Sequence, residues 1–291
     1  MPILKVIVLA IVQGLAELLP VSSSAHVVVA EKLMGLDPSS PQMTLLLVML
    51  HTGTMFAVIA YFWSKWQETF FSSGKAFKRF AGLAIWSTFL TGVVGLSLMK
   101  LIEKTMFRGA PKAEIEQLFS HLELIAPALA AVGVLILVAG LLERRQMFVY
   151  SKSALTTSQA GWMGIVQGLA LPFRGFSRSG STISGGMLMG AAKDRAEEFS
   201  FALAVVLTPP VVGRELLRLL KASHAATATG VPINLHAALV GSLLGMVFSF
   251  IAGLIALKWL SSWLESGRWY IFGLYCLAAS AVVFYLHSQG F

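Results

Sequence analysis

The sequence predicts an all-α integral membrane protein with an inverted-topology repeat, about six transmembrane helices and two re-entrant helix hairpins. Hydrophobic residues make up 56% of the 291 residues and charged residues only 12%, whereas a soluble domain carries about 25% charged residues. The chain therefore lacks the polar surface needed to face water on all sides. Several apolar stretches have the length of a membrane span, and two others are broken by polar turns and share an identical string.

Six uninterrupted apolar stretches are each close to the ~20 residues that an α-helix needs to cross about 30 Å of hydrocarbon. We expect each of them to be a full membrane span. The predicted spans cover residues 43–63, 81–100, 122–142, 197–219, 236–258 and 269–287.

Two further stretches, 3–34 and 158–190, are apolar but interrupted by residues that favour turns. The first is broken at Pro20 and a run of serines, the second at Pro172 and a Gly- and Ser-rich segment at 175–181. Each stretch is long enough for two short helices. A polar turn at membrane depth is tolerated only where it is buried in protein or lines a wet cavity, so both stretches are predicted to be re-entrant hairpins.

The two interrupted stretches share the string IVQGLA, at Ile11–Ala16 and again at Ile165–Ala170, each followed by a proline and a Ser-rich turn. We therefore expect a single membrane domain with internal repeats 1–150 and 151–291, each a hairpin followed by three spans. Because three is odd, the second repeat is inverted relative to the first. Inverted repeats with broken helices bind their ligand near the midplane, where the halves meet.

The net charge of +8 does not indicate a nucleic-acid partner, because the basic residues are scattered between apolar segments. Loops on one side of the predicted spans carry more Lys and Arg than loops on the other side. The more basic side is predicted to be cytoplasmic, which puts both termini outside. Membrane lipids are the expected partners, with a homodimer as a further candidate.

Gln13 and Glu17 are four residues apart and share one face of the first short helix. An ionisable side chain at membrane depth is costly and indicates a functional site by default. The structural alternative is that Glu17 only pairs with an arginine.

Polar residues follow Pro20 at the first break: Ser22, Ser23, Ser24 and His26. Ser22 is placed to cap the second short helix, whose free N–H groups favour an anion. Ser23 and His26 are three apart, and a hydroxyl beside an imidazole is the minimum for an activated nucleophile. A histidine in this setting is also often structural.

The second break carries Arg178 among small polar residues, with Arg174 nearby. A guanidinium makes paired hydrogen bonds to phosphate, and glycines let the backbone approach a ligand. The remaining candidate ligand-binding residues in this turn are Gly175, Ser177, Ser179 and Thr182. The alternative that Arg178 only neutralises Glu17 is compatible with phosphate binding, since the carboxylate can exchange partners during turnover.

Together the two breaks predict a site for a phosphate head group with a lipid tail. No cysteine cluster or His-x-x-x-His pattern occurs in the sequence, which argues against a transition-metal centre. A hard cation, Mg²⁺ or Ca²⁺, would bridge Glu17 and phosphate oxygens.

At these residues the chain resembles the undecaprenyl-diphosphate phosphatase family, the bacterial membrane enzymes associated with bacitracin resistance. The first motif reads Gln13–Glu17, then Leu19–Ser23 and His26, and the second reads Arg174–Thr182. Gln13 stands where Glu is common, Ala25 where Gly is frequent, and Arg174 where the motif has proline. The replacement of this proline is the largest departure, and we expect it to affect phosphate binding rather than the type of reaction.

The resemblance implies hydrolysis of undecaprenyl diphosphate to the monophosphate, in the inner membrane, at a site open to the periplasmic side. As the catalytic group we expect Glu17, Ser23, His26 and Arg178. Ser23 would attack phosphorus or position water, His26 would relay the proton, and Glu17 would act as acid/base or metal ligand. Gln13 would orient the head group, together with Ser22, Ser24 and the second turn.

A lipid-phosphate transporter is the competing class, because inverted repeats and broken helices also serve carriers. A carrier needs charge complementarity, whereas a hydrolase needs proton transfer, which Ser23 and His26 beside Glu17 would supply. A non-catalytic scaffold does not account for the cost of burying Glu17 and Arg178.

Overall fold

A computed structural model of the chain describes residues 2–36, 41–106, 122–145, 154–228, 235–265 and 267–290. The described residues form ten α-helices and no strands. In chain order the helices are α1 (Ile3–Leu18), α2 (Ser23–Leu33), α3 (Pro41–Thr69), α4 (Gly74–Met106), α5 (Leu122–Arg144), α6 (Thr157–Ala170), α7 (Arg178–Leu188), α8 (Lys193–Ala228), α9 (Leu235–Glu265) and α10 (Tyr270–Ser288).

Six of these helices are long and apolar enough to cross a membrane, and each contains one of the six predicted spans. Their apolar segments are Met43–Thr69, Gly74–Thr105, Leu122–Arg144, Lys193–Arg214, Leu239–Trp259 and Tyr270–Ser288. The all-α membrane fold is therefore confirmed.

The two interrupted stretches each form a pair of short helices joined by a turn. With 16, 11, 14 and 11 residues, α1, α2, α6 and α7 are shorter than a full span requires. The second break ends earlier than expected, because α7 begins at Arg178 and includes Ser179. The short lengths agree with hairpins, and their re-entry within the membrane stays a prediction.

The order of elements is the same in both halves, with two short helices followed by three long ones. The shared string also packs alike in both places. A Cβ on Gly14 would lie 2.8 Å from the Ser249 carbonyl oxygen of α9, and one on Gly168 would lie 2.9 Å from the Thr91 carbonyl oxygen of α4. The predicted boundary at 150/151 lies outside the described residues, and the inverted repeat stays a prediction.

Glycines allow close backbone contact at several helix crossings. A Cβ on Gly164 would meet the Ser87 carbonyl oxygen at 2.3 Å, and one on Gly53 would meet the Met246 carbonyl oxygen at 2.2 Å. Gly241 differs, because no neighbouring atom of the described residues lies within 4 Å of its added Cβ. The helix pairs that result are α4 with α6 and α3 with α9.

Candidate active site

A cavity of about 410 Å³ lies where the two hairpin turns meet α3 and α8. The turn between α1 and α2 faces the turn between α6 and α7, so the two sequence motifs share one space. Its polar and charged lining residues are Gln13, Glu17, Ser22, Ser23, Ser24, Thr44, His51, Arg174, Ser177, Arg178, Ser179, Thr208 and Arg214. Nine of the twelve predicted site residues lie here, and His26, Gly175 and Thr182 are not in this lining.

Glu17 is the carboxylate at the centre of the site, near the end of α1. Its Oε1 accepts a hydrogen bond from Arg178 Nη2 at 2.8 Å, and the two side chains are 12% and 28% exposed. Its Oε2 accepts hydrogen bonds from the Ser23 hydroxyl and from Gln13 Nε2, the latter at 3.1 Å. The expected pairing of Glu17 with an arginine is therefore observed, within a cavity that leaves room for a ligand.

Arg178 occupies the first turn of α7, where free backbone N–H groups favour an anion. Ser177 caps this helix, because its hydroxyl accepts a hydrogen bond from the Gly180 amide at 3.1 Å. Thr182 stabilises the same turn from behind the cavity, with its hydroxyl 2.8 Å from the Arg178 carbonyl oxygen and also bonded to Ser200. The hydrogen bonds of Ser177 and Thr182 hold the Arg178 guanidinium opposite Glu17.

Gly175 shapes the turn before α7. Its φ of 103° suits glycine, and a Cβ there would meet the Ile125 carbonyl oxygen at 2.6 Å. A side chain at this position would push the turn away from α5, so the role of Gly175 in the structure is conformational.

His51 on α3 is a site residue that sequence reasoning missed. Its Nε2 lies 3.4 Å from Glu17 Oε2, and its Nδ1 lies 2.8 Å from the Leu47 carbonyl oxygen. Because a carbonyl only accepts, Nδ1 carries a hydrogen and Nε2 faces the carboxylate. In the sequence His51 lies in an apolar span next to Thr52, and nothing in this local pattern links it to Glu17.

Ser22 and His26 behave differently from the expectation. Ser22 is at the position before α2, but its hydroxyl makes no cap and lies 3.3 Å from the Ser24 hydroxyl. Its φ of 66° is left-handed, a conformation that costs a non-glycine residue about 1–2 kcal/mol. The expected contact of Ser23 with His26 is replaced by the contact of Ser23 with Glu17.

The side chains of Gln13, Glu17 and Ser23 contribute oxygen atoms to this part of the cavity. Gln13 is fully buried, and its Oε1 has no hydrogen-bond partner in the described structure. Carboxylate, amide and hydroxyl oxygens suit Mg²⁺ or Ca²⁺. Among the described residues no group of three or more His, Cys, Asp or Glu side chains gathers to hold a metal, so phosphate oxygens would have to complete the coordination.

Known proteins resemble this chain over nearly its whole length. Residues 6–282 match the model of the family described as bacitracin resistance protein BacA. The chain is 57% identical to undecaprenyl-diphosphatase 2 of Acinetobacter baylyi, over 97% of both proteins. It is 35% identical to undecaprenyl-diphosphatase 1 of Burkholderia pseudomallei, over 97% of this chain and 96% of the relative. The resemblance carried by the two motifs is therefore confirmed, and the chain belongs to the BacA family.

Proposed function

We propose that the protein hydrolyses undecaprenyl diphosphate to undecaprenyl phosphate and inorganic phosphate, which recycles the lipid carrier of cell-wall synthesis. Family membership and the printed names of the relatives support this reaction. The observation that carries the proposal is the contact of Glu17 with both Ser23 and Arg178. A hydroxyl, a carboxylate and a guanidinium therefore lie in one cavity, which supports their proposed roles as nucleophile, base and phosphate-binding cation.

Arg178 binds the diphosphate in this proposal. Phosphoryl transfer depends mainly on positioning and on stabilising charge, and the guanidinium and the first turn of α7 supply both. As phosphate oxygens engage Arg178, its contact with Glu17 loosens, and the carboxylate, which already accepts a hydrogen bond from Ser23, becomes a stronger base. Arg174 and Arg214 line the same cavity and add positive charge around the head group.

The bond-breaking step has two routes that share the same residues. In the first, Ser23 Oγ attacks the terminal phosphorus, its proton passes to Glu17, and undecaprenyl phosphate leaves. Water then hydrolyses the serine phosphate and releases inorganic phosphate. In the second, water attacks the terminal phosphorus directly, with Ser23 positioning it and Glu17 taking its proton, and undecaprenyl phosphate leaves as inorganic phosphate forms. Rapid quenching with labelled diphosphate distinguishes the routes, because only the first leaves label on Ser23.

A divalent cation is proposed as the cofactor, either Mg²⁺ or Ca²⁺. Glu17 and the free Oε1 of Gln13 would hold it, and it would neutralise charge on the diphosphate. After chelation, phosphate release should fall and return on adding back one of the two cations. Isothermal titration of Ca²⁺ to the wild type and to Glu17→Gln provides a readout that is independent of activity.

The protein is a multi-pass membrane protein, and the proposed opening is to the periplasmic side. The cavity lies nearer to the ends of α3 and α8 that the charge distribution assigns to the outside. Lys193 Nζ and Glu143 Oε1 are 2.8 Å apart at the other end and join α8 to α5, which supports a one-sided opening. A homodimer stays a prediction, tested by the mass of the detergent-solubilised particle.

A carrier of lipid phosphates would use the same cations. It would have no use for a serine hydroxyl that donates to the carboxylate, so the contact of Ser23 with Glu17 favours hydrolysis. The direct test measures inorganic phosphate and undecaprenyl phosphate after purified protein is mixed with undecaprenyl diphosphate in detergent. Equal amounts of the two products support the proposal, and intact substrate under both cations contradicts it.

A further inference from the structure

The turn that carries Ser23 is held in an unfavourable backbone conformation. Ser22 is the one non-glycine residue with a positive φ in the described part of the chain. It immediately precedes α2, and its own side chain does not cap the helix. The direction of Ser23 toward Glu17 depends on this turn, so other contacts must hold the Ser22 carbonyl in place.

His26 supplies the first of these contacts. Its Nδ1 lies 2.8 Å from the Ser22 carbonyl oxygen, and its backbone N–H donates to the same oxygen at 3.4 Å. Because the carbonyl only accepts, Nδ1 must carry a hydrogen, and Nε2 of the neutral ring is then an acceptor. A group that donates to Nε2 would fix this tautomer.

Tyr275 on α10 is the group that meets Nε2. Its hydroxyl is 2.7 Å from His26 Nε2, and the two rings are stacked with centroids 5.6 Å apart and 13° between their planes. The next residue, Cys276, is buried and places its Sγ 3.5 Å from the Pro20 carbonyl oxygen. One face of α10 therefore contacts the turn between α1 and α2 from behind, while the cavity lies on its other side.

We propose that Tyr275 is a positioning residue for the reaction, an inference that depends on the proposed function. Its O–H donates to Nε2 of His26, the His26 Nδ1–H donates to the Ser22 carbonyl, and the fixed turn directs the Ser23 hydroxyl toward Glu17. In this arrangement His26 acts through the turn, and Tyr275 acts through His26. The rate of the chemical step depends on this chain of hydrogen bonds, whereas head-group binding by Arg178 does not.

The test uses Tyr275→Phe, which removes the hydroxyl and keeps the stacked ring. Tyr285→Phe is the matched control, because Tyr285 lies on the same helix and is 62% exposed. The kinetic constants for undecaprenyl diphosphate are measured for both variants, for His26→Gln and for the His26→Gln/Tyr275→Phe double variant. Circular dichroism and gel filtration establish that each variant is helical and monodisperse.

We expect kcat to fall about tenfold or more in Tyr275→Phe, as is typical when a group that orients a site residue is lost. KM should stay within about twofold, and Tyr285→Phe should match the wild type. In the His26→Gln background the second substitution should cost no further activity, because the two residues act as one unit.

Unchanged kcat in Tyr275→Phe would overturn this inference and leave the proposed function intact. The same fold loss of kcat in both backgrounds would also overturn it, since Tyr275 would then act independently of His26. A wild type that releases no phosphate is a different outcome, because it removes the proposed function on which the inference depends.

Discussion

At the scale of the residue, the site depends on how the two oxygens of Glu17 are used. One oxygen meets Arg178 of the second motif, and the other meets Ser23 and Gln13 of the first motif, with His51 at 3.4 Å. A carboxylate has about four acceptor positions, so it can serve all of these groups together. Loss of this carboxylate therefore disconnects both motifs at once.

Gln13 and Gln167 occupy the same position in the repeated string and allow a matched comparison. Both are fully buried, but Gln13 donates to Glu17 whereas Gln167 donates to Thr91, away from the cavity. A hydrogen bond to a charged group contributes about 1.5–3 kcal/mol. Gln13→Ala should therefore lower kcat/KM about tenfold or more.

Gln167→Ala should lower the melting temperature while kcat/KM stays close to that of the wild type. Steady-state phosphate release and thermal unfolding in detergent measure both variants side by side. An equal loss of kcat/KM in the two variants would contradict a specific role for Gln13.

Arg174 replaces the motif proline and contributes a cation to the cavity lining. Its loss should weaken binding of the diphosphate without changing the chemical step, because the proposed chemistry uses Glu17, Ser23 and Arg178. We expect Arg174→Ala to raise KM about three- to tenfold, equivalent to ~1 kcal/mol, with kcat nearly unchanged. Arg145→Ala, at an exposed position after α5, is the control.

Steady-state kinetics at two salt concentrations measure the effect of Arg174. The difference in KM between wild type and Arg174→Ala should shrink at high salt, because screening weakens the attraction. A KM that does not respond to the substitution would argue against head-group binding by Arg174.

Most of the site could be predicted from sequence because its residues stand in short polar runs within apolar stretches. Gln13, Glu17 and Arg178 were recognisable in this way, and the structure brings them together. His51 was not recognisable, because it lies in an apolar span outside both motifs and only the packing of α3 against α1 brings it to Glu17. The left-handed conformation of Ser22 and the contact of Tyr275 with His26 depend on tertiary structure in the same way.

At the scale of the element, the short helices were predictable because proline and serine interrupt long apolar stretches. The residues at which these helices begin and end were harder to predict. α7 begins at Arg178 because the Ser177 hydroxyl caps it, which moves Ser179 from the expected turn into the helix. GxxxG spacing occurs at Gly164 and Gly168 and again at Gly241 and Gly245. It does not distinguish the close contact at Gly164 from the open surroundings of Gly241 among the described residues, because spacing does not reveal which face meets a neighbour.

Gly164 and Gly241 provide a test of helix packing. A Cβ at Gly164 would lie 2.3 Å from the Ser87 carbonyl oxygen. A Cβ at Gly241 would have no neighbouring atom of the described residues within 4 Å. Gly164→Ala should therefore destabilise the protein by about 1–3 kcal/mol through overpacking between α4 and α6. Gly241→Ala should be neutral.

Thermal unfolding in one detergent, followed by circular dichroism, measures both alanine variants. Equal melting temperatures for Gly164→Ala and the wild type would show that α4 and α6 do not approach as closely as described.

At the scale of the whole molecule, composition and span length predicted the all-α membrane fold, and the charge distribution predicted its orientation. The orientation is testable with single cysteines in a Cys276→Ser background. In intact cells, Gly290→Cys should react with a membrane-impermeant maleimide, and Lys75→Cys, in the first turn of α4, should react only after the cells are opened. The reverse labelling pattern would invert the orientation and contradict a periplasmic opening.

The central claim is that the two motifs form one hydrolytic site around Glu17. The most direct measurement is inorganic phosphate released from undecaprenyl diphosphate by purified wild type, Glu17→Gln, Ser23→Ala and Arg178→Lys, with Glu123→Gln as the control on α5. We predict release by the wild type and Glu123→Gln, and a loss of about 100-fold or more in the other three folded variants. A folded wild type that releases no phosphate, or motif variants that remain fully active, would contradict the account, and the first result would direct the next assay to lipid-phosphate flipping.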